Sequence, residues 1–210
     1  MNPTSSVYPT PEEIISNLTE LENAWRPLAI IWHIYFAAFA IAFLYGVRPS
    51  KRISGVLLAL PFASVSILAW PIMNPVNGIA FALISILLIG VSVKLPQEKA
   101  QIAPLSAMIP GILMFIFGWI YPHFLDPSSS LSFLHSSPVG IIPCATLSIG
   151  IGITMILKSL GSRKTTVILG ISGILYGITG VVQLGVTIDL ILLLGSIVLL
   201  IFAFIKRNGK

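Results

Sequence analysis

The fold is decided by residues 166–205, which read TVILGISGILYGITGVVQLGVTIDLILLLGSIVLLIFAFI and contain one charged side chain, Asp189. A helix that crosses a bilayer needs about 20 mostly apolar residues, so this run is too long for one crossing and suits two. Gly185 lies in its middle, where we expect the turn. The run lacks the alternation of polar and apolar residues that marks a membrane β-strand. It therefore predicts a hairpin of two membrane-spanning helices.

The rest of the chain has the same apolar character. Of its 210 residues, 56% are hydrophobic and 9% are charged, and the mean hydropathy is +0.98, whereas soluble domains carry about 25% charged residues. The sequence therefore predicts an all-α, polytopic membrane protein with seven transmembrane helices. The predicted spans are 27–46, 53–72, 75–93, 103–121, 138–157, 166–184 and 186–205.

The basic residues indicate the orientation. Of the 12 Lys and Arg residues, all except Arg26 lie in the links after spans 1, 3 and 5 or in the C-terminal tail. Lysine and arginine in short loops mark the cytoplasmic side. We therefore expect a protein of the cell (plasma) membrane with its N-terminus outside and its C-terminus in the cytoplasm. The excess positive charge is then a topology signal, so the lipid bilayer is the expected partner and nucleic acid is not.

The chain divides into three parts. Residues 1–24 form an outer N-terminal segment, in which a short amphipathic helix is expected to lie on the membrane surface. That helix should begin after Thr10, because a capping threonine followed by Pro11 and two acidic residues is typical of a helix start. Residues 25–205 form the seven-helix transmembrane domain, and residues 206–210 form a basic cytoplasmic tail.

The spacing of polar residues suggests an internal repeat. Spans 1–3 and 5–7 enter from the same side, with span 4 as an inverting linker between them. Arg52 and Asn77 are 25 positions apart, and so are Lys164 and Asp189. Parallel repeats of this 3+1+3 kind occur in transporters. Residue identity between the halves is slight, so a coincidence of length stays open as the alternative.

Candidate ligand-binding residues lie near the outer ends of the spans. They are His33, Asn77, Cys144, Gln183 and Asp189. Cys144 should lie about six residues, or about 9 Å, inside its helix at 1.5 Å per residue, and His33 is at a similar depth. Ionisable groups within spans are functional candidates by default. We expect His33, His123, His135, Cys144 and Asp189 to converge around a water-accessible pocket that opens to the outside.

A metal site is a further hypothesis. Imidazole and thiolate ligands suit copper or zinc, and His123, His135 and Cys144 supply them, although not at a recognised ligand spacing. Each candidate also has a structural explanation. Asp189 suits the start of a helix, Cys144 suits a packing residue, and His33 can bond to another helix. We expect no resident cofactor.

Several short motifs resemble one family. Tyr121-Pro122 closes the fourth span, His135 follows, and Pro143-Cys144-Ala145-Thr146 opens the fifth. This order is similar to an uncharacterised family of prokaryotic multi-pass membrane proteins, known as a domain of unknown function, with a Tyr-Pro, a histidine and a Pro-Cys-Pro-Thr-like helix start. Ala145 replaces the second proline of that pattern. The resemblance covers most of the chain and implies a prokaryotic inner membrane and no known activity.

Two classes of function stay open on the sequence. The first is a transporter or small-ligand- or ion-binding protein with a pocket open to the outer side, which would take a small polar solute or a metal cation. The alternative is a non-catalytic partner or scaffold subunit of a membrane complex, which the scarcity of charge inside the spans favours. An enzyme is not expected, since no acid–base pair, metal motif or phosphate loop is present. A homo-oligomer is compatible with either class.

Overall fold

The computed structural model describes residues 10–124 and 132–205. Within these ranges the regular structure is helical, apart from one isolated bridge between Ser50 and Lys99. The described α-helices are α1 (Pro11–Ala24), α2 (Arg26–Leu44), α3 (Lys51–Ala69), α4 (Pro75–Ser92), α5 (Leu105–Trp119), α6 (Ser132–Ser136), α7 (Pro143–Ile156), α8 (Arg163–Ile178) and α9 (Asp189–Ile205). A 3-10 turn (Lys158–Gly161) precedes α8, and a π-helical turn (Thr179–Gln183) extends it.

Four of these helices are long and apolar enough to cross a membrane: α2, α3, α4, and α8 with its π-helical extension. The helices α5, α7 and α9 are apolar but shorter. Each predicted span overlaps one of these seven helices. The all-α class and the presence of membrane-type helices are therefore confirmed, whereas seven crossings stay a prediction.

The N-terminal helix begins where the sequence predicts. The Thr10 hydroxyl accepts a hydrogen bond from the backbone N–H of Glu13 at 3.3 Å, and the Glu13 carboxylate accepts one from the backbone N–H of Thr10 at 2.8 Å. This reciprocal pair satisfies two donors that the first turn of a helix would otherwise leave open. Leu18 and Leu21 are buried on one face of α1, so the helix packs against the bundle.

The bundle is built around α7. Nearly every residue of α7 is buried, and α3, α5, α8 and α9 pack around it. The helix α2 lies at the periphery, where Trp32 donates to the Ser64 hydroxyl at 3.1 Å and Tyr35 donates to the Leu57 carbonyl at 3.0 Å. The first helices of the two proposed repeats therefore differ in burial. The superposition of the two halves stays a prediction.

Helices α8 and α9 approach each other along a line of glycines. A Cβ atom at Gly170 would lie 2.6 Å from the Leu200 side chain, and one at Gly177 would lie 2.9 Å from the backbone nitrogen of Leu193. Small residues permit this close approach of helix backbones. Gly185 connects the two helices with a φ of +67°, which confirms the predicted turn.

The start of α7 corrects one expectation. The sequence predicted a span over 138–157, with Cys144 about six residues inside it. The helix begins at Pro143, and residues 138–142 form turns in which Gly140 has a φ of +74°. Proline is favoured at the first helical position, because its missing N–H would have no partner there. Cys144 is therefore the second residue of α7.

The bundle has two chemically different ends. We call one the basic end; it holds the α2–α3, α4–α5 and α7–α8 links. There Lys51 pairs with Glu98 at 2.7 Å, and the Ala103 N–H bonds to the Ile156 carbonyl at 2.9 Å. We call the other the Asp189 end; it holds α1, α6 and the first turns of α7 and α9.

Candidate functional site

Asp189 is the first residue of α9 and its side chain is 1% exposed. The Tyr121 hydroxyl donates a hydrogen bond to Asp189 Oδ1 at 2.6 Å, and the Cys144 thiol donates one to Oδ2 at 3.0 Å. Tyr121 follows α5 and Cys144 lies in the first turn of α7, so three chain segments meet at one carboxyl group. We call Tyr121, Cys144 and Asp189 the Asp189 network.

The network is tightly packed. A Cβ atom at Gly180 would overlap Asp189 Oδ2, and the Gly180 carbonyl accepts a hydrogen bond from the Val186 N–H at 2.8 Å. The Tyr121 ring is fully buried and stacks on Phe124 with 6.3 Å between ring centroids. The carboxyl group of Asp189 is thus enclosed by backbone and aromatic surface. Its position at the start of a helix also suits the helix dipole, as the structural explanation predicted.

His123 borders the network. Among the described residues, its buried Nε2 atom has no hydrogen-bond partner. Its ring and that of Phe124 make a T-shaped contact, with 4.4 Å between the ring centroids. Burial lowers the pKa of His123 below its usual value, and the negative charge of Asp189 opposes that shift. His123 is therefore mainly neutral at pH 7, with one ring nitrogen available to a ligand or to a proton.

His33 belongs to a second network. One of its ring nitrogens, Nδ1, lies 2.8 Å from the Ala29 carbonyl, and the other, Nε2, lies 3.1 Å from the Trp119 carbonyl and 3.3 Å from the Ser137 hydroxyl. The Ser137 hydroxyl also bonds to the Trp119 carbonyl. A neutral imidazole donates from one nitrogen only, so it can bond to the Ala29 carbonyl or to the Trp119 carbonyl but not to both, and Ser137 has one hydroxyl hydrogen to donate to either His33 or Trp119. In each case the His33 ring contacts Trp119 edge to face. His33 therefore joins α2 to α5, as its structural explanation predicted.

The remaining candidates, Asn77, His135 and Gln183, have no described hydrogen bond to the Asp189 network. Asn77 accepts a hydrogen bond from the Tyr176 hydroxyl at 2.9 Å, and its backbone N–H donates to the Asn74 side chain at 3.1 Å. It therefore supports the start of α4 and its contact with α8. His135 is exposed at the end of α6, and Gln183 is exposed in the π-helical turn after α8.

The structure brings together part of the predicted set. Cys144 and Asp189 are in direct contact and His123 is beside them, whereas His33 lies in its own network. Within residues 10–124 and 132–205, no three His, Cys, Asp or Glu side chains are grouped so that they could hold a metal ion. The predicted metal set of His123, His135 and Cys144 is thus not assembled.

A cavity lies at the opposite end of the bundle, the basic end. It has a volume of about 440 Å³ and lies between α5, α7, α8 and α9. Its lining contains no residue of either network. At the Asp189 end, the side chains around Asp189 are closely packed. The pocket predicted there would form only if these side chains moved apart.

Sequence reasoning did not select Tyr121, Ser137 or Gly180 as site residues. Tyr121 carried one usable signal, because it ends its span at the same membrane level as Cys144 and Asp189. Ser137 and Gly180 carried none, since serine and glycine are common in links and helix contacts. Both act through their positions next to a buried polar group.

The chain matches no protein-family model, and neither a curated protein nor a solved structure matches it. The described residues of the chain form a helical fold, and four of its helices are long and apolar enough to cross a membrane. The resemblance carried by Tyr121-Pro122, His135 and the start of α7 stays a prediction.

Proposed function

We propose that this chain is a seven-span transporter that binds a small cation, the proton included, at the Asp189 network. The observation that carries the proposal is a carboxyl group, that of Asp189, buried at 1% exposure in a mainly apolar helical bundle. Acidic residues within membrane domains are rare and commonly mark ion pathways. The proposal has three parts, which are the number of spans, the orientation and the role of Asp189.

Seven spans are compatible with the short helices. The shortest, α7, has 14 residues, and it is surrounded by other helices along nearly its whole length. Irregular backbone at membrane depth is tolerated where protein, rather than lipid, surrounds it. The turns at 138–142 and 158–161 can therefore complete the crossing of α7.

The proposed orientation places the Asp189 end outside and the basic end in the cytoplasm. It rests on the basic residues of the chain, of which all except Arg26 fall on one side. The protein then resides in a cell membrane, and the resemblance to a prokaryotic family favours the inner membrane. The cation site would lie near the outer surface.

The chemistry of the network suits a cation that comes and goes. With no cation bound, hydrogen bonds from Tyr121 and Cys144 stabilise the ionised carboxylate, since bonds to a charged acceptor are the stronger ones. A proton or metal cation that binds an Asp189 oxygen replaces one of these donors and neutralises the charge. His123 offers its unpartnered nitrogen beside the same carboxylate.

The test uses purified protein in vesicles that contain a trapped pH indicator. An imposed membrane potential should drive protons through the wild-type protein, and Asp189→Asn should reduce the rate to that of protein-free vesicles. Glu98→Gln is the matched control, because it removes an exposed carboxylate at the basic end. Ion competition identifies the cation, since a metal ion that uses the site would inhibit proton flux. Flux that Asp189→Asn leaves unchanged contradicts the proposal.

A second function is favoured by the tight packing around Asp189. A non-catalytic partner or scaffold subunit of a membrane complex needs no ligand pocket. Its buried polar groups would serve only to stabilise the structure. On that account, the folded wild-type protein would move no ions, and Asp189→Asn would change thermal stability alone. Co-purification of a membrane partner with the intact chain would then identify the complex.

A further inference from the structure

The cavity at the basic end has an apolar wall and a cationic rim. Its volume of about 440 Å³ lies within the range of small-molecule sites. The wall includes Met155, Leu199 and Phe202, and the rim includes Lys158 and Arg163. Among the described residues that line the cavity, none is acidic. The lining is thus amphipathic, and its two basic residues are close in sequence, at the starts of the 3-10 turn and of α8.

Neither rim cation forms an ion pair with an acidic residue of the described ranges. The Arg163 guanidinium lies over the Phe204 ring, 4.5 Å from its centroid, and Lys158 donates a hydrogen bond to the neutral Gln101 side chain at 3.0 Å. In the part of the chain that the structure describes, the one ion pair joins Lys51 to Glu98. Both rim charges are therefore available to an anion.

The backbone adds to the positive potential. Helix α5 begins at Leu105 without a side-chain cap, and Pro104 and Ser106 at that start line the cavity. Uncapped N–H groups and the helix dipole both favour an anion at a helix start. This contribution reinforces the lysine and the arginine, which carry the argument together with the cavity.

We infer that this cavity binds an anionic phospholipid of the cytoplasmic leaflet. The phosphodiester lies at Lys158 and Arg163, and one acyl chain lies along Met155, Leu199 and Phe202. An apolar wall of this extent would contribute nothing to the binding of a free anion, whereas an acyl chain gains by covering it. Basic pockets between helices on the cytoplasmic side recognise anionic headgroups in this way. The inference uses the proposed orientation but is independent of transport at Asp189.

The test measures lipid retention by the full chain in detergent micelles, by native mass spectrometry. Phosphatidylglycerol and phosphatidylcholine with the same acyl chains are offered at equal concentration. We expect phosphatidylglycerol to be retained preferentially. Each of Lys158→Gln and Arg163→Gln should weaken its binding by about fivefold, and the double variant by about thirtyfold. The matched control is Lys94→Gln with Lys99→Gln, which removes the same charge outside the cavity.

Two further arms separate the lipid from other occupants. Ala107→Phe places a ring in the cavity and should reduce phosphatidylglycerol retention while all the basic residues remain. Inorganic phosphate at the lipid's concentration should not displace the lipid, because it cannot use the apolar wall. Equal retention of the two lipids, an equal loss in the Lys94/Lys99 control, or displacement by inorganic phosphate would each overturn the inference.

Discussion

The two ends of the bundle treat charged groups in opposite ways. At the Asp189 end, two acidic side chains are buried: Asp189 is 1% exposed with two donors, and Glu22 is fully buried with no hydrogen-bond partner in the described structure. At the basic end, Lys158 and Arg163 border an open cavity. A buried charge must be neutralised or hydrogen-bonded, whereas a charge at a cavity rim stays solvated. Substitutions at the Asp189 end should therefore have the larger effects on stability.

The largest expected effect concerns Glu22 and pH. Burial raises the pKa of Glu22 to about 8, and the opposing charge of Arg26 does not offset it. Because the folded-state pKa lies above the usual value of 4.5, the docking of α1 is strongest below about pH 4.5. It weakens as the pH rises to about 8, by at most about 1.4 kcal/mol per pH unit.

Hydrogen exchange of the α1 amides, corrected for intrinsic rates, should therefore show less protection at about pH 9 than at about pH 5. Glu22→Gln should remove this difference. Glu20→Gln, at an exposed position of the same helix, should preserve it. Equal protection at both pH values in the wild type would show that Glu22 does not carry a buried proton.

The next largest effect should come from Gly180→Ala. The added methyl group would overlap the Asp189 carboxylate, so either the network or the α8–α9 contact must shift, at a cost of about 1–3 kcal/mol. Gly90→Ala is the control, since nothing lies within 4 Å of its new Cβ atom. Thermal unfolding in detergent should show a lower midpoint for Gly180→Ala alone. Equal midpoints for the two variants would mean that the carboxylate is not packed against α8.

An effect no larger than that of Gly180→Ala is expected from Tyr121→Phe. It removes the hydroxyl that donates to Asp189 and leaves a buried acceptor with one donor fewer, which costs about 1–3 kcal/mol. Tyr176→Phe is the matched change, and it should cost less because its acceptor, Asn77, is only partly buried. Chemical denaturation of both variants measures the difference. A larger loss for Tyr176→Phe would reverse the ranking of the two sites.

The smallest effect should follow from Glu98→Gln. This carboxylate is exposed, and its pairing with Lys51 lowers its pKa. Exposed ion pairs contribute little, because solvent and salt screen them. The unfolding midpoint should stay within error of wild type at physiological salt. A clear loss of stability would show that the basic end depends on its one described ion pair.

The helices could be predicted because each depends on a local property. The run 166–205 is long enough for two helices, Gly185 can adopt a positive φ, and the Thr10 cap needs only residues three positions away. These features were all found. Whether α5, α7 and α9 cross the membrane is not a local property. A short helix can still cross if the turns at its ends complete the path and other helices shield those turns from lipid.

The site was harder to predict because it depends on how the helices are rotated. A helix that is apolar on every side carries no amphipathic pattern to show which face meets a neighbour. The contact of Tyr121 with Asp189, 68 residues away, could not be derived for this reason. The role of Pro143 could not be predicted either, because a proline suits a kinked helix and a helix start equally well. Nor could the left-handed backbone of Lys158, Ser159 and Leu160 beside the cavity be predicted from the sequence.

Cysteine labelling in intact cells tests the central claim, seven crossings with the Asp189 end outside, most directly. The side chains of Met73, Leu134 and Gln97 are exposed, so a single cysteine introduced at any of these positions should be accessible to a reagent. The native Cys144 is buried. With seven spans, an impermeant thiol reagent should label Met73→Cys and Leu134→Cys and should spare Gln97→Cys until the cells are opened. If only the four longest helices cross, Leu134→Cys would be protected like Gln97→Cys, and that result would contradict the account.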